Sequence, residues 1–535
     1  MTLKHLCMKG IYILFLCAVT AVAGCGRQTS VKPENGTAPD ENRQTQQIQP
    51  LPEKRNEVAG VEVISGGGTI REGMRTLASF TVKDGTFGYS RGRLISPDGC
   101  WIAFEATKEG RTQGLWVAAL DGSAGRLLCR VGEKEHADGT LLIQMLGWTE
   151  DGRVVFTRQG TQPDGEHKGQ RGISLRAASP GGGEAQEAGW LPVAHGTVRQ
   201  VEFLPERDGV FVHVSGPGSL WRLDVNSGQR TLLADELPSY DGLFLPRLSP
   251  AGDCFLYELY EQDKKGIFRL GIDGSGEKGE ERPFAPSGDS WNFYPRFSPD
   301  GRHVVYYAAP RKTGATGLNA GDYDLSPMED GPAPVAAAAH LADSGGRVIA
   351  SLTVPDAKLG NIAWAEDGRH LAYVAGRTGS DNNSEVVPGI PVMEDQSIWL
   401  ADLRGKAGKV ADVPEGGEIY IVKITADTVY YHVTNGDKST LWAAREDIRP
   451  TEITPAGRWE FISPTPSLGD RFFLCRRTAG GKQDVYLVDG DDAGRITVDG
   501  SPKAELRTEN KRLIYVAAQD GAQGERLVVS ELAVE

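Results

Sequence analysis

Two stretches of the 535-residue chain come near a serine nucleophile turn, SGPGS at 215–219 and SGDSW at 287–291. Neither has the Gly-x-Ser-x-Gly spacing that lifts a hydroxyl out of a strand-to-helix elbow. No Cys-x-x-Cys or His-Glu-x-x-His occurs, and the nine histidines (5, 136, 167, 195, 213, 303, 340, 370, 432) stand singly, so zinc chemistry is not expected. Two acidic loops carry the hard oxygen ligands that calcium takes: Asp489, Asp491 and Asp492 in VDGDDAG, and Asp322, Asp324 and Asp330 in a Gly/Pro-rich stretch. Neither places a Glu twelve residues from its first Asp, and solvated turn carboxylates are the favoured reading. No catalytic residue, metal or dissociable cofactor is therefore expected.

The one covalent chemistry with a matching pattern is at Cys25. Lys4 and Lys9 lead into the apolar run Ile11 to Ala23, and the chain then reads Val22, Ala23, Gly24, Cys25. The apolar run is about half the ~20 residues a helix needs to span a bilayer, whereas a cationic lead, a short apolar centre and small residues before a cut define a secretory signal. This ending resembles the lipobox of bacterial lipoproteins. The resemblance implies cleavage between Gly24 and Cys25 and a covalent lipid of the palmitate type on Cys25. Gly26 stands where an Asp would favour inner-membrane retention, so the outer membrane is open to it if the source has two.

Loss of residues 1–24 removes Lys4 and Lys9 and no acid, which takes the formal charge from −14 to −16. Such a surface is a poor match for nucleic acid or anionic lipid headgroups, so no nucleic-acid partner is expected and the membrane is reached through the lipid alone. From Arg27 to Ala59 polar residues and Pro dominate and aromatics are missing. Such a segment buries too little to offset its ordering entropy, and 25–59 reads as a flexible tether with a reach of roughly 30 Å. Beyond it, Cys100, Cys129, Cys254 and Cys475 are too few and too scattered for a disulfide framework, and core packing is the role expected of each.

The remainder is repetitive. ISPDGCWIAFEA at 95–106, FSPDGRHVVYYA at 297–308, LSPAGDCFLYE at 248–258, WAEDGRHLAYV at 364–374 and WTEDGRVVFT at 148–157 share an apolar residue, a turn and a β-branched or aromatic run. Pro pre-sets φ and Gly accepts positive φ, so each turn pairs two strands. A strand of a second type follows many of them, as in GLWVAALDGS at 114–123, SLWRLDVNSG at 219–228 and SIWLADLRG at 397–405. Trp116, Trp221, Trp399 and Trp442 recur at one place in that strand, which reads as packing between sheets in preference to an aromatic ligand site. The turn glycines 99, 152, 209, 252, 301 and 368 are 53, 57, 43, 49 and 67 residues apart. Four strands at such a period define a β-propeller blade.

This repeat resembles that of TolB-type propellers, also seen in propellers of prolyl-oligopeptidase and dipeptidyl-peptidase IV relatives, best over Ile95 to Gly122 and Phe297 to Ala308. The resemblance implies fold and leaves function open. Residues 60–535 are expected to form a single all-β propeller of four-stranded blades. Nine second strands are countable, near Trp101, Val154, Val210, Phe255, Val304, Leu371, Val429, Phe472 and Leu513. Familiar propellers have four to eight blades, so eight are expected within a range of six to nine. Strands at 61–64 and 75–81 are expected to share the closing blade with RLVVSEL at 526–532, and the longest repeat carries a loop insertion at about 310–334.

The function these features imply is that of a membrane-anchored, extracytoplasmic lipoprotein that binds an envelope protein or cell-wall component as a scaffold and performs no chemistry. The face bearing the insertion, with Asp322 and Asp324, and the channel mouth, with Tyr294 and Arg296, are the candidate binding residues. The rival readings are an envelope glycosidase or polysaccharide lyase with carboxylates from several blades, and a sensor or assembly domain working in trans with a separate hydrolase.

Overall fold

The computed structural model describes residues 54–532, except 59–60, 66–73, 83–84, 89, 91, 109–110, 194–196, 216–217, 236, 238–245, 261–264, 273–277, 311–335, 379–392, 414–416, 436–437, 454–457, 461–464, 478–480, 498–499 and 519–523. The expected signal with Gly24 and Cys25, most of the expected tether, and Asp322 and Asp324 of the insertion lie outside the described residues. No helix among those described is long and apolar enough to cross a membrane.

Antiparallel sheets follow one another along the chain, each packing on the next and the last on the first, so that they close into a propeller of nine blades. That is one blade more than the eight expected and the top of the range of six to nine. In blade 1 the order is Lys503–Glu509, Arg512–Ala518, Glu525–Leu532, Met74–Val82. Blade 2 comprises Gly85–Phe87, Trp101–Lys108, Thr112–Ala119 and Gly125–Val131. Blade 3 runs from Leu141–Trp148 to Gln186–Pro192, blade 4 from Thr197–Leu204 to Arg230–Ala234, and blade 5 from Arg247–Leu248 to Lys278–Pro286. Blade 6 runs from Ser290–Phe297 to Val348–Leu352, blade 7 from Lys358–Trp364 to Ala407–Asp412, blade 8 from Glu418–Ile424 to Ile448–Glu452, and blade 9 from Arg458–Glu460 to Asp492–Arg495. All nine second strands begin within one residue of the expected positions.

The repeated turn works through its side chains. Ser96 Oγ donates to Asp98 Oδ1 at 2.5 Å and accepts the Trp101 N–H at 2.9 Å, Cys100 N–H also donates to Asp98 Oδ1, and Gly99 takes φ 74°. Ser298, Asp300, Gly301 and His303 repeat the same bonds in blade 6. The hydroxyl and carboxylate thus occupy backbone groups that the turn leaves without a ladder partner. Cys100 sits in this turn and is exposed, so the core role expected of it does not hold; Cys254 and Cys475 are buried and Cys129 is half-buried.

Between sheets the core forms a series of apolar clusters, each shared by neighbouring blades. Second strands such as Gly209–Ser215 are buried at every residue, because a blade in a ring has a neighbour on both faces. The four repeated tryptophans are half-buried against these clusters. Trp221 and Trp399 each donate Nε1–H to the Ser two residues earlier, and Trp442 to Thr440, while Trp116 lies over Gly114, where a Cβ would come within 2.3 Å of the ring.

Closure joins the two ends as expected. Glu525–Leu532 pairs with Arg512–Ala518 on one side and Met74–Val82 on the other. Across to blade 2, the Glu509 carboxylate accepts from the Leu94 and Ile95 N–H groups at 2.8 to 3.0 Å, and Arg507 donates to the Ser90 and Gly92 carbonyls. The tether ends sooner than expected. Lys54–Val58 pairs with Val61–Ser65, and the latter adds outside Met74–Val82. Only Ala59 and Gly60 lie between the two strands in the chain, and an unpaired edge offers an extended polar segment the ladder that its lack of apolar residues does not.

Candidate binding site on the channel wall

The first strand of each blade lines the central channel, and a β-bulge recurs in it. The register shifts between Met145 and Gly147, Val198 and Gln200, Phe293 and Arg296, Gly360 and Ala363, Ile421 and Lys423, and Ala504 and Arg507. Bulges bend a strand and re-aim its side chains. In three blades the bulge forces a non-glycine residue to positive φ, namely Tyr294 at 54°, Asn361 at 48° and Glu505 at 53°. Such backbone persists only where surroundings over-determine it.

Those surroundings come from the preceding blade. The fifth residue of the second strand reaches across the seam and takes a backbone group of the next first strand. Glu105 of blade 2 accepts from Met145 N–H at 2.6 Å, and Glu258 of blade 5 accepts from Tyr294 N–H at 2.9 Å. The Tyr307 hydroxyl of blade 6 accepts from Ile362 N–H at 3.2 Å, and His432 Nε2–H of blade 8 donates to the Trp459 carbonyl at 2.8 Å. His213 holds the same place in blade 4, but among the described residues both buried ring nitrogens have no hydrogen-bond partner, and burial with the nearby Arg199 charge pushes its pKa down to about 4. Burial pushes Glu105 up to about 7 against the opposing bonds from Met145 and Gln113. The strongly shifted acid is thus a bridge between blades and not a group open to the channel.

Tyr294 and Arg296 are brought together. Arg296 Nη2 donates to the Tyr294 hydroxyl at 2.8 Å, and Nη1 donates to the Ile362 carbonyl of blade 7 at 3.0 Å. Its guanidinium carbon is 4.8 Å from the centre of the Tyr294 ring, and that of Arg247, from blade 5, is 5.6 Å from the same ring. Arg247 and Arg296 face the third residue of their second strands, Leu256 and Val305, and so do Lys423 facing Tyr430 and Arg507 facing Ile514. Four cations therefore share one level of the channel wall, with Glu202 of blade 4, opposite Phe211, the acid at that level. Lys423 is paired to Glu366 at 2.9 Å, and Arg507 lies 3.8 Å from Glu509. Among the described residues neither Arg247 nor Arg296 has a carboxylate partner.

Arg247 and Glu258 were not singled out from the sequence, yet a signal existed. PRLSP at 246–250 and PRFSP at 295–299 are the same five-residue pattern in consecutive blades. The residues of the insertion lie outside the described residues, and only its point of departure is placed. The insertion leaves the second strand of blade 6 after Pro310, which pairs with Ser290, whereas Arg296 pairs with Val305 toward the Ser298 turn at the other end of the sheet. Of the acidic loop at 489–492, Asp491 accepts a bidentate pair from Arg445 of blade 8, at 2.8 and 3.2 Å.

No family model and no curated protein sequence matches the chain. Among solved structures it is similar to an oligogalacturonate lyase in complex with manganese, with 11% identity, TM-score 0.36, and 91% of this chain and 97% of that one covered. It is similar to a prolyl endopeptidase with 11% identity and TM-score 0.37, over 82% of this chain and 55% of that one. TolB from Acinetobacter baumannii is matched with 14% identity and TM-score 0.24, over 62% of this chain and 79% of that one. TolB and prolyl-endopeptidase propellers, which the repeat resembles in sequence, are thus among the matched structures, and the strand order itself makes this chain a nine-bladed β-propeller.

Proposed function

We propose that this protein is a lipid-anchored, extracytoplasmic binding scaffold that captures an envelope protein or cell-wall component at the channel mouth of blades 5 to 7. The observation that carries the reading is the pair Arg247 and Arg296 around Tyr294, two guanidinium groups without carboxylate partners among the described residues of a chain whose formal charge is −14. Elsewhere on the ring Lys423 is paired to Glu366 and Arg445 to Asp491. A cationic pair held on a rigid ring is an arrangement for a ligand to complete. The Val22 to Cys25 pattern supports anchoring through Cys25, which would leave the propeller free at the end of its tether.

The test is crosslinking and affinity capture with the full-length protein from intact membranes. A specific partner is expected, together with its loss when Arg247 and Arg296 are both replaced by Gln. Failure to capture any partner above the level of an unrelated lipoprotein would overturn the reading.

A further inference from the structure

Three features of the Arg247, Tyr294 and Arg296 cluster restrict what can complete it. The two guanidinium carbons, each close to one ring, lie no more than about 10 Å apart. Arg296 spends two donors on Tyr294 and Ile362, which fixes its plane and leaves the rest of its fork, while the Arg247 guanidinium makes no hydrogen bond or ion pair among the described residues. Both side chains are half-buried, so an incoming anion would displace little water and meet charges weakly screened by salt.

The nature of the anion follows from what surrounds the pair. A phosphate site is normally completed by converging backbone N–H groups. Here the Tyr294 N–H is taken by Glu258 and the Ile362 N–H by Tyr307. With Glu258 bonded behind Tyr294 and Glu202 on the next blade at the same level, a dianion is penalised more than a monoanion. A sugar ring would need an open aromatic face. Tyr294 is only 8% exposed, and Trp364 directs its Nε1–H to the Arg296 carbonyl at 3.3 Å. A carboxylate on a flexible chain needs neither amides nor an aromatic platform, only the fork of a guanidinium.

Resting on the scaffold reading above, we propose that Arg247 and Arg296 are the binding site for a carboxylate presented by an acidic peptide segment of the partner. Arg296 is the preorganised donor, and Arg247 is the charge that selects for the acid.

The test uses the full-length protein in detergent and a fluorescein-labelled hexaglutamate peptide, read by fluorescence polarisation at low and at physiological salt. Saturable binding is expected, and Arg247→Gln should weaken it by about tenfold, as the loss of one charge-assisted contact would. Arg449→Gln on the outermost strand of blade 8 removes the same charge elsewhere and should leave binding unchanged. Arg296→Gln should weaken binding at least as much, but it also breaks the bond to Ile362, so its melting temperature is measured alongside. Arg247→Gln carries the decision because its ring contact is not part of the strand ladder. No binding of the peptide, equal binding by Arg247→Gln, or stronger competition by inorganic phosphate or an oligogalacturonide than by unlabelled peptide would each overturn the proposal. Membrane capture that survives Arg247→Gln would overturn the carboxylate site and leave the scaffold reading standing, whereas peptide binding without any captured partner would do the reverse.

Discussion

The seam between blades 2 and 3 should make stability fall as pH rises from about 4.5 to about 7. Glu105 is 5% exposed, its Oε1 takes the Met145 N–H, and its Oε2 takes Gln113 Nε2–H at 2.9 Å. The Gln113 amide cannot turn, because its Oε1 accepts from Ile143 N–H at 2.9 Å and its Nε2 donates to the Ile143 carbonyl at 2.8 Å. Burial raises the carboxyl from 4.5 to about 7, so between those values the folded protein holds a proton that the unfolded chain has released. The folded state binding more protons means stability declines with pH across this window, by about 3 kcal/mol at ~1.4 kcal/mol per pKa unit. Glu105→Gln removes the titration. It keeps an acceptor for Met145 but sets an NH2 against Gln113 Nε2, a pH-independent cost of about 1–2 kcal/mol. The variant should therefore be less stable than the parent at pH 5 and equal to it or more stable at pH 8. The assay is urea unfolding of both proteins at several pH values, followed by tryptophan fluorescence. The comparison between variants cancels Glu509, which burial also raises. A constant difference between the two proteins from pH 5 to pH 8 would refute the reasoning.

Three other outcomes are expected. Ser298→Ala should cost about 1–2 kcal/mol, because it removes the Asp300 partner and orphans the His303 N–H, and the midpoint of urea unfolding measures this. The Asp98 carboxyl is held below its usual range by the Ser96 hydroxyl and then the Cys100 N–H, so its contribution is present above that range and lost as acid protonates it; Asp98→Asn should flatten the acid limb of a melting-temperature profile. Gly92→Ala should lower the melting temperature by several degrees, since a Cβ there would stand 2.1 Å from the Leu146 carbonyl oxygen of blade 3, and an unchanged melt would show that the seam can give way.

Much of the fold was legible because a propeller is written locally. The Ser, Asp and Gly of each turn act within six residues of one another, so a motif at 95–106 and again at 297–308 reports the same hairpin wherever it lies. The strand starts followed from this, as did the repeated tryptophans, of which Trp221, Trp399 and Trp442 close their indole bonds over two residues. The sharing of one blade by 74–82 and 525–532 was also legible, since a ring of repeats leaves two partial sets of strands at its ends. The first hairpin at 54–65 was missed because its composition is polar and only the edge it joins makes it a strand.

The sequence by itself determined the hairpin repeat and the class of fold, both of which depend on neighbours in the chain. The tertiary structure decided the rest. That the ring closes at nine depends on the angle at which each sheet packs on the next, which no single repeat encodes. Glu105, Glu258, Tyr307 and His432 differ in type and share only a place in a strand, so their common task at the seams appears once the following blade is present. Arg247 and Arg296 are 49 residues apart in the sequence, and they surround one tyrosine because consecutive first strands converge on the channel.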